Sequence, residues 1–183
     1  MSIKLNYSKK IGGKTSNLVL FCDEKYSTSG LKKYLSNPEF TYINDLLKTA
    51  DQKKNLFIFE VNSKKKIALV SIKKNLKTSD VENLGAEFYK KINFGKNSEY
   101  FIISDSLVGK NDNLLGYFLH GLKLKSYEFK KYKTKKDTRL ISINVIGNKN
   151  KPSTKNQLKF ISTTKDTKMY WEASQRGFQN AFK

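Results

Sequence analysis

The chain has 183 residues, of which 38% are hydrophobic and 13% aromatic, and this composition favours one folded domain over a disordered chain. Its longest apolar runs, such as NLVLFC and YFIIS, are much too short to span a bilayer, and the opening MSIKLNYSKK has no apolar signal core. A single cysteine, Cys22, cannot form an internal disulfide, so we expect a reducing, cytoplasmic location and no membrane partner.

The formal charge of +20 suggests a polyanionic partner such as nucleic acid, because 36 Lys and Arg residues face 16 Asp and Glu residues. Two features weaken this interpretation. Only Arg139 and Arg176 are arginines, and arginine supplies the bidentate fork that recognises phosphate and guanine. The joint abundance of Lys, Asn, Ile, Tyr and Phe is also typical of an A+T-rich genome, which raises lysine content without a functional demand. Two explanations of the positive charge therefore stay open: solvated lysines without a binding role, and a surface that binds a polyanion.

The first part of the chain predicts strands that alternate with short helices. IKLNY, residues 3–7, alternates apolar and polar positions as a strand does, and the glycines of KKIGGKTS indicate a turn after it. NLVLFC, residues 17–22, is apolar throughout and fits a strand buried on both faces. A short helix is predicted near residues 29–35. The next helix is predicted from apolar residues at helical spacing: Phe40, Ile43, Leu46, Leu47 and Ala50.

The same alternation continues toward the carboxyl end. NLFIFEVN and KIALVSIK are two strands joined by the short polar segment SKKK, which predicts a hairpin. In SDVENLGAEFYKKI, Ser79 and Glu82 have the spacing of a capping box at the start of a helix. YFIIS predicts a buried strand, residues 113–130 predict a second strong helix, and LISINVIG predicts a further strand.

Strands that alternate with helices, and that are apolar on both faces, predict an α/β domain with a mixed central β-sheet flanked by helices on both faces. The predicted hairpin is the reason to expect a mixed sheet rather than a purely parallel one. We assign this domain to residues 1–148, a polar linker to residues 149–165 and a terminal helix to residues 166–183.

No residue pattern marks a catalytic, metal or cofactor site. SKKIGGKTS looks like a phosphate-binding loop, but Ser8 stands where the pattern needs glycine and a strand follows where it needs a helix, so a plain turn is the better interpretation. His120, the only histidine, is predicted to be a packed or hydrogen-bonded residue, and Cys22 lies in a buried strand, where thiols are inert. A Cys22–His120 nucleophilic pair stays open. So does a ligand role for Asp105 after YFIIS, where a turn cap is the simpler interpretation.

The segment GLKLKSYEFKKYKTKK, residues 121–136, interleaves apolar, aromatic and basic residues. It resembles the segment that closes the amino-terminal domain of the leucyl (cytosol) aminopeptidases, whose form is roughly Gly-Leu-x-Leu-x-x-Tyr-x-Phe-x-x-Tyr-Lys-Thr/Ser-Lys. Upstream, SDVENLGAEFYKKI stands where that family has a helix with a glycine in its middle. KIALVSIKK stands where it has a strand, although the usual Gly-rich turn after the strand is missing. The positions of the segment that match in register are Gly121, Leu122, Leu124, Tyr127, Phe129, Tyr132, Lys133, Thr134 and Lys135.

The resemblance covers about residues 3–146 and implies a macro-domain-like α/β fold that is not catalytic. In the family this domain packs on a carboxy-terminal peptidase domain, helps to build a hexamer and, in some bacterial members, contributes to DNA binding. The two divalent metals of the family, zinc or manganese, belong to the peptidase domain, so the resemblance implies no cofactor and no catalytic residue in this chain. The tail lacks the motifs that open the catalytic part. A truncated chain, a split reading frame and a stand-alone domain all fit this pattern.

Three functional interpretations follow. The first is a non-catalytic domain of a leucyl-aminopeptidase-like protein, with a peptidase domain and other copies of itself as partners. The second is a sequence-nonspecific nucleic-acid-binding module, since lysines cluster near the predicted end of a helix. The third is a small-molecule site at the carboxyl edge of the sheet, which a macro-like fold would permit. The candidate nucleic-acid contacts are Lys130, Lys131, Lys133, Lys135 and Lys136.

Overall fold

The computed structural model of the chain describes residues 2–9, 17–51, 53–73, 75–92, 98–107, 114–126 and 140–148. Within these residues, one sheet is formed by β1 (Ser2–Ser8), β2 (Asn17–Asp23), β3 (Leu56–Asn62), β4 (Lys65–Ile72), β5 (Ser98–Ile103) and β6 (Leu140–Ile146). The α-helices are α1 (Asn37–Thr49), α2 (Thr78–Ile92) and α3 (Leu114–Ser126). Short 3-10 helices occupy Ser29–Tyr34 and Ser104–Ser106.

The sheet is mixed and has the strand order β1-β6-β5-β2-β4-β3. β1, β6, β5, β2 and β4 run parallel, whereas β3 runs antiparallel to β4. The predicted hairpin is therefore confirmed in β3 and β4. β2 lies in the interior of the sheet, where Val19 is beside Ile102 of β5 and Ala68 of β4.

One hydrophobic core lies on each face of the sheet, because successive residues of a strand point to opposite faces. On the first face, α2 and α3 pack over a core that includes Val19 and Phe21 of β2. On the second face, the first 3-10 helix and α1 pack over Leu18, Leu20 and Cys22 of the same strand. Val19 and Leu20 are both 0% exposed. The prediction of a mixed sheet with helices on both faces is confirmed, and so is a strand buried on both sides at NLVLFC.

The backbones of α2 and α3 lie in direct contact, and glycines make this contact possible. A Cβ atom added at Gly121 would lie 1.8 Å from the carbonyl oxygen of Glu82. One added at Gly85 would lie 1.9 Å from the carbonyl oxygen of Phe118. Each helix thus presents a glycine to the backbone of the other. Beneath this contact the rings of Phe88 and Phe118 lie 5.7 Å apart in the first core.

The start of α2 differs from the prediction. The helix begins at Thr78, so Ser79 lies inside the first turn and does not cap it. The backbone N–H of Lys77 instead donates to Asp80 Oδ2 at 3.1 Å. The predicted capping box is wrong because Asp80 occupies the third helical position, from which an acidic side chain reaches back to the residue before the helix. Glu82 is left free to bond elsewhere.

The predicted amphipathic helix is confirmed as α1. It begins where the N–H of Ser36 donates to Glu39 Oε2 at 3.0 Å, and it buries Ile43 and Leu47 against the second core. Ala50 follows its last residue. In the described part of the chain, no helix is both long enough and apolar enough to cross a bilayer.

The connection from β1 to β2 is not a hairpin. The glycine turn predicted in KKIGGKTS falls on residues 10–16, which lie outside the described ranges. The strands that it joins are parallel, and β6 and β5 lie between them. The carboxyl end of β1 and the amino end of β2 therefore lie at opposite ends of the sheet. The predicted linker and terminal helix, residues 149–183, also lie outside the described part.

We expect Gly121→Ala and Gly85→Ala each to lower the free energy of unfolding by about 3 kcal/mol, because α2 and α3 must separate to admit a methyl group. Urea unfolding followed by circular dichroism measures the effect. Gly30→Ala is the matched control, since no atom lies within 4 Å of a Cβ added there. We expect that control to change stability by less than about 0.5 kcal/mol. Equal stability of the Gly121 and Gly30 variants would contradict the proposed contact.

Candidate functional site

The carboxyl ends of β2 and β5 are the place where a sheet of this type would hold a ligand. The chain leaves β2 toward α1 on the second face, and it leaves β5 toward α3 on the first face. Connections on opposite faces leave neighbouring strands diverging, and ligand crevices form at such points. β2 and β5 pair from Asn17 with Tyr100 to Val19 with Ile102, and their pairing ends there.

The space beyond Val19 is closed by the second 3-10 helix. The backbone N–H of Phe21 donates to Ser106 Oγ at 2.9 Å, and the same hydroxyl donates to the carbonyl of Ile103 at 2.6 Å. Ser106 is 6% exposed. The Ser106 hydroxyl therefore provides the hydrogen-bond acceptor for β2 beyond the point at which its pairing with β5 ends. The second 3-10 helix thus occupies the position where a ligand crevice would be expected.

Asp105 and Ser104 tie the ends of β5 and β6 together. Asp105 Oδ1 accepts the N–H of Asn148 at 2.9 Å, and Ser104 Oγ donates to the carbonyl of Ile146 at 2.9 Å. Gly147 between these partners has a φ of +124°, and an added Cβ would lie 2.4 Å from Ser104 Oγ. The position thus requires glycine for both conformation and space. This geometry supports the turn-cap interpretation of Asp105 over a ligand role.

His120 and Cys22 lie on opposite sides of the sheet. His120 Nδ1 is 2.6 Å from Glu82 Oε1, across the contact between α3 and α2 on the first face. The prediction of a hydrogen-bonded histidine is confirmed. Cys22 points into the core of the second face. The sheet therefore separates the two side chains, and the Cys22–His120 pair does not form.

The Cys22 thiol is held in a protonated, inaccessible state. The residue is 1% exposed, and its Sγ lies 3.7 Å from the carbonyl oxygen of Val70. Burial, with a smaller effect from the neighbouring Asp23 carboxylate, raises the pKa of the thiol to about 12. Because the thiolate is the reactive form, Cys22 is not a nucleophile in the folded chain.

The lysines proposed as nucleic-acid contacts, residues 130–136, lie outside the described ranges. α3 ends just before them and carries Lys123 and Lys125 in its last turn. Burial lowers the pKa of Lys123, whereas Lys125 is exposed. Neither lysine forms an ion pair with a described residue.

Across the same ranges, no three His, Cys, Asp or Glu side chains are grouped so that they could hold a metal ion.

A row of polar side chains that was not predicted from the sequence crosses the second face. Asn6 Nδ2 of β1 donates to Asn144 Oδ1 of β6 at 2.9 Å, and Asn144 Nδ2 donates to Glu99 Oε1 of β5 at 2.7 Å. The available signal was the polar residue at every second position of IKLNY and LISINV, which marks a strand face without an apolar cover.

The comparisons with known proteins agree with this architecture at the level of the fold. No family model matches the chain, and no curated protein sequence matches it. Among solved structures, a tomato leucine aminopeptidase mutant is similar with a TM-score of 0.58 and 14% sequence identity, over 87% of this chain. The match spans 35% of the aminopeptidase chain. The chain thus has an α/β fold with a mixed sheet. This fold is similar to part of a leucine aminopeptidase.

We expect Cys22 to react with a disulfide reagent such as DTNB only when the chain unfolds, because the native thiol is buried and protonated at neutral pH. Absorbance of the released thiolate gives the rate with and without guanidinium. Leu124→Cys adds an exposed thiol as a positive control, since Leu124 is 47% exposed. Rapid labelling of native Cys22 would contradict the assignment of an inert core thiol.

Proposed function

We propose that this chain is a non-catalytic domain of a leucyl-aminopeptidase-like protein, and that its role is to pack on a metallopeptidase domain outside this chain. The structural likeness to part of a leucine aminopeptidase supports this proposal, because it extends over 87% of the chain. The two divalent metals of such an enzyme, zinc or manganese, would then belong to the partner domain. We infer a cytoplasmic location for the same reason.

The observation that carries the proposal is the pairing of two glycines. The sequence resemblance includes Gly121 in GLKLKSYEFKKYKTKK and the mid-helix glycine Gly85 in SDVENLGAEFYKKI. These residues are 36 positions apart, yet each packs on the backbone of the helix that carries the other. Two positions that resemble one family are thus explained by a single contact. That agreement supports an arrangement of α2 and α3 shared with the leucyl aminopeptidases, rather than a chance similarity of sequence.

The proposed role also fits the way in which the polar groups are used. Ser104, Asp105 and Ser106 at the carboxyl edge bond to backbone groups of the chain itself. His120 bonds to Glu82 between two helices. Polar residues in such positions hold elements together and rigidify a domain. We therefore assign them to the stability of a packing module and not to the chemistry of peptide hydrolysis.

The proposal is tested by activity and binding together. The purified chain should not hydrolyse leucine p-nitroanilide, with or without manganese or zinc. It should co-purify with the peptidase domain of a leucyl aminopeptidase from the same organism when that domain is expressed without its own amino-terminal domain. Turnover by the chain alone would overturn the non-catalytic assignment. Separate elution of the two proteins at micromolar concentration would overturn the packing role.

A second candidate function, nonspecific binding of nucleic acid, is favoured by the distribution of charge. Residues 127–139 and 149–183 together contain fourteen Lys and Arg residues and four Asp and Glu residues. Lys123 and Lys125 in the last turn of α3 lead directly into the first of these segments. A run of basic side chains that follows a helix along the sequence can contact successive phosphates.

We expect affinity for duplex DNA to fall steeply with salt if this second function holds. Replacement of the five lysines at 130, 131, 133, 135 and 136 by Gln should reduce the slope of log K against log salt by about 0.9 for each lost phosphate contact. A variant with five Gln at the exposed residues Lys32, Lys33, Lys48, Lys53 and Lys64 removes the same charge elsewhere. Equal slopes for the two variants would remove residues 130–136 from the site.

A further inference from the structure

The β3 edge of the sheet is a largely apolar strand. β3 has the sequence LFIFEVN, in which Glu60 is the one charged residue. Phe57, Ile58 and Val61 are half-buried, so each leaves part of its apolar surface exposed at this edge. Natural proteins block such edges with lysine, proline or a covering element, because an open edge strand pairs readily with another strand. An apolar edge strand of seven residues is therefore a candidate interface.

The backbone of β3 turns alternate residues outward. The carbonyl of Asn55 accepts the N–H of Ser71 of β4 at 2.9 Å. Because opposed residues of an antiparallel pair alternate between hydrogen-bonded and non-hydrogen-bonded positions, the odd-numbered residues of β3 bond to β4. The even-numbered residues Leu56, Ile58 and Glu60 turn their N–H and C=O groups away from β4.

Two side chains contact the outward carbonyls toward the ends of this edge. Lys91 Nζ of α2 donates to the carbonyl of Leu56 at 3.0 Å, and the Tyr42 hydroxyl of α1 donates to that of Glu60 at 3.3 Å. Each contact uses one lone pair of a carbonyl oxygen that has two. In the described part of the chain, no residue bonds to the outward groups of Ile58 between them. The centre of the edge can therefore accept another strand.

We propose that β3 is a self-association edge, at which β3 of one copy pairs antiparallel with β3 of a second copy across a two-fold axis centred on Ile58. An isologous strand pair of this kind needs a sequence that is complementary to itself when reversed. The pair would join two six-stranded sheets into one continuous sheet. This inference goes beyond the packing role proposed above and does not depend on it.

Apolar side chains meet each other in this register. Ile58 would face Ile58 of the other copy in a hydrogen-bonded pair, and Phe57 would face Phe59. The rings of Phe57 and Phe59 stack 5.8 Å apart within one copy, so the seam would gather four rings on the second face. Aromatic pairs between opposed strand residues stabilise a sheet. Tyr42, which is 42% exposed at the same edge, would be covered by the added strand.

Opposite charges also meet in this register. Glu60 would face Leu56 of the other copy on the first face, where Lys91 Nζ contacts the Leu56 carbonyl. The Glu60 side chain is 68% exposed, so its carboxylate would come within reach of Lys91 of the other copy. The two-fold axis makes this ion pair twice. A register centred on Glu60 would instead oppose the two glutamates directly, which is destabilising. The register centred on Ile58 is therefore the one that matches charge as well as apolar surface.

The first test measures association of the full chain by sedimentation velocity over a range of concentrations. The proposal expects a reversible monomer–dimer equilibrium. Glu60→Lys would oppose lysines across the seam and Lys91→Glu would oppose glutamates, so each should weaken dimerisation by ~10-fold or more. An equimolar mixture of the two variants should restore it, because the charges are then complementary at both ends of the seam.

The mixture separates an effect at the seam from an effect inside one copy. Each variant also breaks an exposed ion pair of its own chain, Glu60 with Lys66 or Lys91 with Glu87. Mixing cannot repair those contacts, so recovery in the mixture reports the interface alone. Lys4→Glu is the matched control and should leave association unchanged, because Lys4 is an exposed residue of β1 at the opposite edge of the sheet.

The second test locates the axis by crosslinking. Opposed Cα atoms in a hydrogen-bonded antiparallel pair lie about 5.5 Å apart, within the range of a disulfide. Ile58→Cys should therefore form a disulfide-linked dimer under mild oxidation, and Leu5→Cys on β1 should not. Cys22 is 1% exposed and does not compete. A chain that stays monomeric at every concentration would overturn the proposal. So would a dimer that is unaffected by the charge reversals, or one that crosslinks equally at Leu5.

Discussion

The backbone contact between α2 and α3 is the constraint on which the rest of the domain depends. Gly85 and Gly121 let the two helices approach until the peptide groups touch. The helices can then cover the first face of the sheet together, and Phe118 meets Phe21 edge-on at 5.4 Å. Interiors are packed as densely as organic crystals, so a separation of the helices by one methyl group would open the aromatic core beneath. The bond between His120 and Glu82 closes the same contact from the outside.

The sequence predicted the features that depend on local periodicity. The apolar run of β2, the hairpin of β3 and β4, and the stripes of α1 and α2 each follow from a repeat of side-chain chemistry within a few residues. The class of the fold therefore follows from the sequence alone. The order of the strands could not, because KKIGGKTS has the composition of a tight turn whether it joins neighbours or crosses the sheet. The start of α2 was misplaced because two acidic residues, Asp80 and Glu82, could both complete a capping pattern.

The polar contacts at the candidate sites were harder to predict, because they join residues that are far apart in the chain. Ser106 meets Phe21 across 85 positions, and Asp105 meets Asn148 across 43. Nothing in the residue types of Ser106 or Asp105 distinguishes a ligand contact from a bond to the chain's own backbone. Their roles follow from the point at which β2 and β5 diverge. The likeness to a leucine aminopeptidase concerns the fold. The function of a fold depends on the sites and binding surfaces that it carries.

The pairing of β1 with β6 has a consequence for the way the chain acquires its structure during synthesis. β1 (Ser2–Ser8) leaves the ribosome before the other five described strands, yet its neighbour in the sheet is β6 (Leu140–Ile146). At a typical translation rate of about 5–20 residues per second, β1 waits roughly seven to thirty seconds for its partner. During that interval, β2 with β4 and then β5 can already assemble, since they arrive earlier. β1 is thus the last strand to be secured, and contacts of such long sequence separation slow the final step of folding. A nascent chain that stalls before residue 140 would carry α1, α2 and α3 together with a first strand that β6 has not yet joined.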